Sequence, residues 1–295
     1  MTVSATSAPK VWLITGASRG LGLGIAKAAL AAGHAVIAGR RSAVNKDAST
    51  QEFENLGGTW AQIDTGSDAL ESQIAEAIQR HGKVDVLVNN AGFGLAGTIE
   101  DVSIENINRN FRVNTLGPIR TAKVVIPSMR AQGSGTIVNI GSSTGINSLP
   151  GIGIYASTKH ALEGISESLQ AELAPFGIRV LLVEPGALAT RFTDTTLQDS
   201  AIETPFSDCY KGSYTERVVR YMMDVESYMA KGGSVEQAAL RIVEAVDGTG
   251  MLEGKELGLR LPLGKDTLED VRSKGKRMTE LAESLEEVTK SISVT

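Results

Sequence analysis

The sequence is poor in the residues that form disulfides and bind metal ions. Its 295 residues include one cysteine, Cys209, and three histidines at positions 34, 81 and 160. A single cysteine excludes an intrachain disulfide, and histidines this far apart match no known spacing of metal ligands. We therefore expect no metal ion in this protein.

Long apolar runs and an excess of positive charge are also missing. The most apolar stretch, residues 21–39, is interrupted by Lys27 and His34, so no run approaches the ~18 apolar residues of a membrane-spanning helix. Residues 1–9 have neither the basic start nor the apolar core of a signal peptide. The net charge of −5 argues against a nucleic-acid-binding surface. We expect a cytoplasmic protein that binds neither membranes nor nucleic acid.

The sequence does contain Tyr155 and Lys159, four residues apart in a segment with helical periodicity. This spacing places both side chains on one face of a helix. An unperturbed tyrosine has a pKa of about 10, and a neighbouring ammonium group should lower it by favouring the phenolate. Such a tyrosine could exchange a proton with a carbonyl oxygen. Taken alone, the same pair also occurs on ordinary solvated helix faces.

A second motif lies near the start of the chain. The apolar run from residue 11 ends in Thr15-Gly16 and is followed by Gly20 and Gly22, which predicts a strand, a tight turn and a helix. Glycines at such a turn let the backbone approach a pyrophosphate group at the helix N-terminus. The alternative is a glycine-rich turn that only packs a helix against a strand.

With these two motifs the chain resembles the short-chain dehydrogenase/reductase family, over roughly residues 10 to 262. Asn89-Asn90-Ala91-Gly92 resembles the family element that supports the sheet beside the cofactor. Asn114 matches the helix asparagine of the catalytic tetrad, and Ser142 precedes Tyr155 at the family spacing of the catalytic serine. Pro185-Gly186 with Thr190 resembles the segment that contacts the nicotinamide.

These matches also have structural alternatives. Asn114 could be a satisfied polar residue at a helix kink, Ser142 could simply end a strand, and Pro185-Gly186 could form an ordinary turn. Ser143 competes with Ser142 as the catalytic serine, although the spacing favours Ser142. Gly141 replaces a serine that is common in the family, a departure that we do not expect to disturb the chemistry.

The resemblance implies roles for the tetrad. Tyr155 would exchange the proton, Ser142 would hydrogen-bond the substrate oxygen, Lys159 would lower the Tyr155 pKa and hold the nicotinamide ribose, and Asn114 would hold a water in a proton relay. The cofactor-binding residues implied are Thr15, Gly16, Ser18, Arg19, Gly20, Leu21, Gly22, Arg40, Arg41, Asp64, Asn90, Ala91, Gly92, Asn114, Tyr155, Lys159, Pro185, Gly186 and Thr190.

The residues after the second predicted strand favour NADP(H) over NAD(H). An NAD-dependent relative would place an aspartate where this chain has Gly39, and Arg40 and Arg41 follow. No carboxylate at that position would repel a 2′-phosphate, and Arg40 and Arg19 could bind it with charge-assisted hydrogen bonds. The alternative is that these arginines are solvated surface charges.

Strands and helices alternate along the chain. This pattern predicts an α/β fold, a single doubly wound Rossmann-like parallel sheet with helices on both faces. We expect one domain over residues 1–295, with a cofactor-binding and catalytic core at 10–190, a helical substrate lid at 191–233 and a C-terminal helical extension at 264–295. The predicted elements are strands at 10–15, 35–39, 59–63, 84–89, 135–140, 178–183 and 259–263, and helices at 21–32, 67–80, 103–130, 154–174, 234–248 and 266–290.

The lid and the extension bear on the substrate. The lid is rich in tyrosine, phenylalanine and methionine, which suggests an apolar substrate wall, although these residues could instead pack a small core of their own. The extension carries Met278, Leu281, Leu285 and Val288 on one side, which we expect to dock on its own subunit, with a second subunit as the alternative. Acyl-carrier-protein ketoreductases of the family usually end near the last strand, so the extension favours a free small-molecule substrate.

The sequence therefore predicts an NADPH-dependent oxidoreductase that reduces a ketone of a largely apolar small molecule. The alternatives are a secondary-alcohol dehydrogenase that works in the oxidative direction, and a dinucleotide-binding sensor without catalysis. The family resemblance implies a homodimer or a homotetramer.

Overall fold

A parallel seven-stranded sheet forms the centre of the computed structural model, which describes residues 8–42, 48–190, 192 and 206–293. The strand order is β3-β2-β1-β4-β5-β6-β7, and every neighbouring pair is parallel. The strands are β1 (Val11–Ile14), β2 (Ala35–Arg40), β3 (Thr59–Gln62), β4 (Val86–Asn89), β5 (Gly135–Ile140), β6 (Ile178–Pro185) and β7 (Arg260–Leu263). The predicted doubly wound α/β fold is confirmed.

Helices connect the strands and cover both faces of the sheet. They are α1 (Gly20–Ala31), α2 (Ala48–Asn55), α3 (Leu70–His81), α4 (Ile104–Phe111), α5 (Gly117–Gln132), α6 (Gly153–Leu173), α7 (Tyr214–Met223), α8 (Val225–Lys231), α9 (Val235–Asp247), α10 (Lys265–Ser284) and α11 (Glu286–Lys290). Helix α2 was not predicted, because it is polar and carries one buried large apolar side chain, Phe53, in place of a periodic stripe.

The core lies on the two faces of the sheet, and β1 shows how the sequence divides between them. Successive side chains of a strand point to opposite faces. Trp12 and Ile14 pack with α1 and α9 on one face, whereas Leu13 packs with α3 and α5 on the other. Both faces are therefore apolar, as expected for a parallel sheet covered by helices on each side.

A buried polar network ties the sheet to helix α6. The Asn89 side-chain amide donates to Asn139 Oδ1 over 2.9 Å, and the Asn139 amide donates to Ser166 Oγ over 2.9 Å. Thr121 on α5 also donates to Asn89 Oδ1. Buried polar networks of this kind rigidify a core when every member is satisfied. This network therefore fixes the position of α6, the helix that carries Tyr155 and Lys159.

The lid region packs partly on itself. Phe206, Met222 and Met223 contact a small buried cluster of Ala96, Ile152, Val218 and Val219. Because Ala96 and Ile152 belong to the body of the domain, the lid residues pack against the body as well as on one another. Residue 191 and residues 193–205 of the predicted lid lie outside the described residues.

The C-terminal extension differs from the prediction that its apolar side docks on its own subunit. Met278, Leu281, Leu285 and Val288 are all exposed. The first turns of α10 do contact the body of the protein, but the helix then extends past its edge.

Within the described part of the chain, no helix is long and apolar enough to cross a membrane, and no group of histidine, cysteine and acidic side chains could hold a metal ion.

Candidate active site

The predicted site residues lie where the strands of the sheet end. The glycine turn follows β1, Asn90 follows β4, Ser142 follows β5, and Pro185-Gly186 closes β6. All these strands are parallel, so their carboxyl ends meet at one edge of the sheet. Ligands of open α/β sheets bind at this edge. The fold therefore brings distant motifs of the sequence into one cleft.

The glycine turn is locked onto the Asn90-Ala91 segment. Asn90 Nδ2 donates to the carbonyl oxygens of Thr15 and Gly16, each over 3.0 Å, and Thr15 Oγ1 accepts from the backbone N–H of Asn90 and of Ala91. A Cβ on Gly16 would lie 2.7 Å from Ala91 Cα, and one on Gly22 would lie 2.4 Å from Asn90 Nδ2. These two glycines are required for the close approach of turn and strand end.

The start of α1 fits the pyrophosphate of a dinucleotide. The N-cap residue, Arg19, makes no capping hydrogen bond with its side chain, and the first turn carries no acidic residue. Gly20 adopts φ +56, and a Cβ there would meet only the Thr190 side chain, at 3.5 Å. Ser18 and Arg19 are exposed at the turn, whereas Leu21 faces the core. Unpaired N–H groups and the positive dipole end of a helix stabilise a phosphate there.

The Pro185-Gly186 segment is held by the C-terminal extension, a contact that the sequence did not reveal. The Asp266 carboxylate accepts from Ala187 N over 2.9 Å, and Gly186 N donates to the Leu263 carbonyl over 2.8 Å. A Cβ on Gly186 would lie 1.9 Å from Asp266 Oδ1. The start of α10 thus fixes the segment that the family resemblance places at the nicotinamide.

Tyr155 is buried beside two hydroxyl groups, those of Ser142 and Thr144. Its side chain is 6% exposed, and hydrogen bonds to both hydroxyls act to lower its pKa. Thr144 also donates to Ser142 Oγ over 2.9 Å. Ser143, Thr144 and Gly145 form a short 3-10 turn directly after Ser142. The structure therefore places Ser142 at Tyr155 and adds Thr144, which the sequence analysis missed because the motif spacing marks only one hydroxyl.

The sequence argument that Lys159 lowers the Tyr155 pKa does not hold in this structure. Burial raises the pKa of Tyr155 to about 12, and the hydrogen bonds from Ser142 and Thr144 offset this only in part. Lys159 Nζ lies 5.9 Å from the tyrosine ring centre and donates to the Ile140 carbonyl over 2.8 Å. Burial also lowers the pKa of Lys159 to about 8. Burial is the largest influence on the pKa of each of the two groups.

Asn114 acts as a clamp at the site. It lies in a π-helical turn, Arg112–Leu116, between α4 and α5. Its amide donates to the Phe93 carbonyl over 2.9 Å and to Thr158 Oγ1 over 3.2 Å, and its oxygen accepts from Phe93 N. A Cβ on Gly92 would lie 3.1 Å from Asn114 Oδ1 and 3.7 Å from Lys159 Nζ, so these three residues share one corner of the cleft.

The predicted adenosine end of the cleft lies beyond β2 and β3. The Arg40 guanidinium stacks on the Trp60 ring at 4.6 Å, and Arg41 is exposed next to it. A Cβ on Gly39 would lie 3.0 Å from the Ile14 carbonyl, so any larger residue there must shift its neighbours. Asp64 accepts from Gly66 N over 2.9 Å and so stabilises the turn after β3.

Apolar side chains form the wall around Tyr155. The Phe192 ring centre lies 5.7 Å from that of Tyr155, and Leu95, Val102 and Ile154 pack in the same cluster. Tyr228 of the lid also lies within electrostatic range of Tyr155: burial raises the pKa of Tyr228, and the Tyr155 phenol raises it further. Other lid aromatics lie farther out. The Tyr210 hydroxyl donates to Glu100 Oε1 at the exposed surface, for example. Phe192 is therefore one lid residue placed to contact a substrate at Tyr155.

A cluster of charged side chains lies next to the helix that carries Lys159. Arg260 of β7 forms ion pairs with Glu163 and Glu167 of α6 and with Glu184 of β6. The free oxygen of Glu163 faces the Ser142 loop, because a Cβ on Gly145 would lie 2.8 Å from Glu163 Oε1 and one on Gly141 would lie 3.3 Å from it. The negative charge of Glu163 acts to raise the Lys159 pKa against the effect of burial.

The fold and this site define an oxidoreductase of the kind that uses a nicotinamide dinucleotide. The family described as short chain dehydrogenase matches residues 10–201, and the chain belongs to this family. It is 48% identical to the oxidoreductase claN of Passalora fulva over 61% of this chain and 83% of that protein. It is 34% identical to human retinol dehydrogenase 8 over 83% of this chain and 88% of that protein.

Solved structures agree with this assignment. A short-chain dehydrogenase from Streptomyces avermitilis superposes with a TM-score of 0.81 at 31% identity, covering 98% of this chain and 100% of the other. A short-chain dehydrogenase from Sphingobium yanoikuyae in complex with NADPH has a TM-score of 0.70 at 25% identity, covering 93% and 95%. A 3-ketoacyl-(acyl-carrier-protein) reductase from Brucella melitensis in complex with NADH has a TM-score of 0.67 at 25% identity, covering 88% of this chain and 98% of the other.

Proposed function

We propose that this protein catalyses the NADPH-dependent reduction of a ketone on a largely apolar small molecule. The observation that carries the proposal is Tyr155, a buried phenol that touches two hydroxyl groups and an apolar wall. A phenol is protonated at neutral pH even without perturbation, so Tyr155 is available as a proton donor. A protonated general acid is what the reductive direction requires, because the carbonyl oxygen of the substrate must receive a proton.

Each residue of the site has a distinct role in this reaction. The Tyr155 hydroxyl gives its proton to the carbonyl oxygen as negative charge develops there, and Ser142 donates a hydrogen bond to the same oxygen. Thr144, bound to Ser142, orients that hydroxyl. Lys159 would hold the nicotinamide ribose, and the start of α1 would hold the pyrophosphate. NADPH supplies the hydride when bound, and the apolar wall keeps water from the reacting carbonyl.

Arg40 supports NADPH as the preferred cofactor. Its guanidinium is already ordered on Trp60, so less side-chain entropy is lost when it binds a phosphate. Gly39 leaves the neighbouring position without a carboxylate, and Arg19 lies exposed at the glycine turn. Related structures contain either NADPH or NADH, so the preference is a property to be measured for this chain.

The Tyr155→Phe variant tests the reaction. Phenylalanine keeps the ring packing but removes the proton donor, so we expect turnover of apolar ketones to fall by at least about a hundredfold while NADPH binding changes little. The matched control is Tyr210→Phe, which removes a hydroxyl at the surface of the lid. Steady-state NADPH oxidation and fluorescence titration of the cofactor measure the two effects. Near-normal turnover of Tyr155→Phe would contradict the proposal.

The Arg40→Ala variant tests the cofactor. We expect kcat/KM for NADPH to fall by about tenfold or more, because a charge-assisted contact contributes roughly 1.5 to 3 kcal/mol. The value for NADH should stay nearly constant. Arg80→Ala, which removes an exposed arginine of α3, is the control. A Gly39→Asp variant is less informative than the sequence suggests, because the new Cβ would press on the Ile14 carbonyl. Equal use of both cofactors by the unmodified protein would refute the preference.

The oxidative direction is a second candidate function. The name of the relative retinol dehydrogenase 8 refers to an apolar alcohol, and the wall around Tyr155 suits an apolar alcohol as well as an apolar ketone. Assays in both directions with matched ketone and alcohol pairs separate the two. Cofactor binding without turnover in either direction would instead support a nucleotide sensor.

A further inference from the structure

Helix α8 of the lid is fastened to the backbone that follows β6. Gly233 N donates to the Ala187 carbonyl and Ala189 N donates to the Gly233 carbonyl, each over 2.9 Å, and Leu188 forms a parallel bridge with Gly233. A Cβ on Gly232 would lie 2.3 Å from Ala189 N, so this close approach requires glycine. The same backbone continues the segment that the family resemblance places at the nicotinamide. Helix α8 is therefore held at the reacting end of the cleft.

This attachment places Tyr228, a partly buried residue of α8, at the active site. The Tyr228 hydroxyl accepts a hydrogen bond from the backbone N–H of Leu188. Its ring packs at a tilt against that of Tyr221, with the ring centres 6.0 Å apart. The Tyr155 phenol acts on the pKa of Tyr228, so the two hydroxyls lie within electrostatic range of each other. The site therefore holds a second phenol besides the proposed proton donor.

The contact with Leu188 leaves the proton of the Tyr228 hydroxyl for another hydrogen bond. A phenolic hydroxyl can donate one hydrogen bond while it accepts another. The wall around Tyr155 is apolar and offers no side-chain acceptor of its own. A donor that loses water in such a cleft costs free energy unless the bound ligand supplies an acceptor. Tyr228 thus favours a ligand with an oxygen at this position over one without it.

The surroundings of Tyr228 disfavour negative charge. Burial raises the pKa of Tyr228, and the charges of Tyr155, Tyr221 and Asp266 raise it further. Groups that oppose a phenolate at this position also oppose a carboxylate of the substrate. The cation of the same helix, Lys231, lies over the Tyr221 ring at 5.3 Å. The acceptor that suits Tyr228 is therefore a neutral oxygen.

We propose that Tyr228 donates a hydrogen bond to a second, neutral oxygen of the substrate, which is an apolar ketone that also carries a hydroxyl or a further carbonyl group. This inference rests on the proposed reduction of a ketone at Tyr155. The reacting carbonyl binds at Tyr155 and the second oxygen at Tyr228, so the substrate is held at two points. Two fixed points select one orientation of the carbonyl for the reaction.

The alternative role of Tyr228 is structural, as an anchor of α8 on Leu188. Loss of an anchor weakens the binding of every ligand of the cleft alike. Loss of a donor to the substrate weakens only those ligands that carry the second oxygen. Ligands that differ in this one group therefore separate the two roles.

Turnover of matched bicyclic ketones tests the proposal. The probes are decalone, hydroxydecalones that differ in the position of the hydroxyl, and a decalone carboxylate. For the unmodified protein we expect kcat/KM of the best hydroxydecalone to exceed that of decalone by about tenfold, and Tyr228→Phe to remove most of this difference while decalone changes by about twofold or less. An equal fall for decalone and hydroxydecalone in Tyr228→Phe would overturn the proposal in favour of an anchor. Preference of the unmodified protein for the carboxylate would also overturn it.

Tyr221→Phe is the matched control for this series. Tyr221 belongs to the same ring pair, but its raised pKa is due to burial and to the charges of Asp266 and Asp224, without a contribution from Tyr155. Its ratio of kcat/KM between hydroxydecalone and decalone should equal that of the unmodified protein. Circular dichroism and thermal unfolding establish that both variants keep the fold. An equal loss of discrimination in Tyr221→Phe would contradict the assignment to Tyr228.

Binding without turnover separates this inference from the proposed reaction. Isothermal titration calorimetry of the NADPH-loaded Tyr155→Phe protein gives the Kd of decalone and of the hydroxydecalones. Adding Tyr228→Phe should raise the Kd of the best hydroxydecalone by about fivefold to tenfold and that of decalone by about twofold or less. If this difference appears in a protein that reduces none of the ketones, the proposed reaction fails and the role of Tyr228 stands. If no hydroxydecalone binds more tightly than decalone, the role of Tyr228 is overturned, whatever the turnover.

Discussion

At the scale of single residues, Glu163 deserves a place beside the predicted tetrad. It lies one helical turn after Lys159, so both side chains share a face of α6. One of its oxygens pairs with Arg260, while the other faces the loop that carries Ser142. Its charge opposes the effect of burial on the Lys159 ammonium group. The family motif does not include this position, which is why sequence reasoning overlooked it.

The Glu163→Gln variant should change the pH dependence of catalysis. Burial already lowers the pKa of Lys159 to about 8, and removing the negative charge of Glu163 lowers it further. If Lys159 must be charged to hold the cofactor, its contribution is lost as the pH rises through that pKa. The alkaline limb of kcat/KM should therefore move to lower pH, by about one unit or less.

Glu167→Gln is the matched control for this measurement. Glu167 pairs with the same arginine, but its side chain is 60% exposed, and it does not shift the Lys159 pKa. Its profile should follow that of the unmodified enzyme. If Glu163→Gln and Glu167→Gln gave the same profile, the charge of Glu163 would have no influence on Lys159.

At the scale of elements, local patterns predicted most of the sheet and helix positions. Strands such as β4 and β6 were identifiable because they are continuous apolar runs with turns after them. Helix α2 was missed because it has no periodic apolar stripe. Contacts between distant segments left no local signal, so the binding of Asp266 to the backbone after Gly186 could not be predicted. The exposure of the apolar stripe on α10 could not be predicted either, because the same sequence pattern is typical of a helix docked on its own subunit and of one that projects from it.

The wall of the lid provides a prediction at this scale. Phe192→Ala removes the aromatic ring that packs on Tyr155, so binding of bulky apolar ketones should weaken by about tenfold or more, while small ketones and NADPH change little. Tyr214→Ala, which truncates a 54% exposed aromatic residue of α7, is the control. Measurement of KM over a graded series of ketones gives the result. Equal effects on small and bulky ketones would assign Phe192 to packing instead of substrate contact.

At the scale of the whole molecule, the fold concentrates charge behind the catalytic helix. Arg260 from the last strand, Glu184 from β6 and Glu163 from α6 come from three distant parts of the sequence and meet where the sheet is covered by α6. Burial raises the pKa of Glu184 well above its usual range, the nearby charge of Glu163 raises it further, and Arg260 opposes both. The folded protein therefore binds a proton at Glu184 more tightly than the unfolded chain does.

This difference gives the stability of the protein a pH dependence that can be measured. A carboxyl whose pKa is raised on folding contributes its full stability below its unfolded value and loses that contribution as the pH rises through the folded value. The free energy of unfolding should therefore fall as the pH rises from about 5 toward neutrality. Glu184→Gln mimics the protonated form and should make this slope shallower, even if loss of the pair with Arg260 lowers the absolute stability. Urea unfolding over this range measures the slope, and Glu167→Gln should leave it unchanged. If the free energy of unfolding fell equally steeply with pH in Glu184→Gln and in the unmodified protein, Glu184 would not be the group whose pKa is raised on folding.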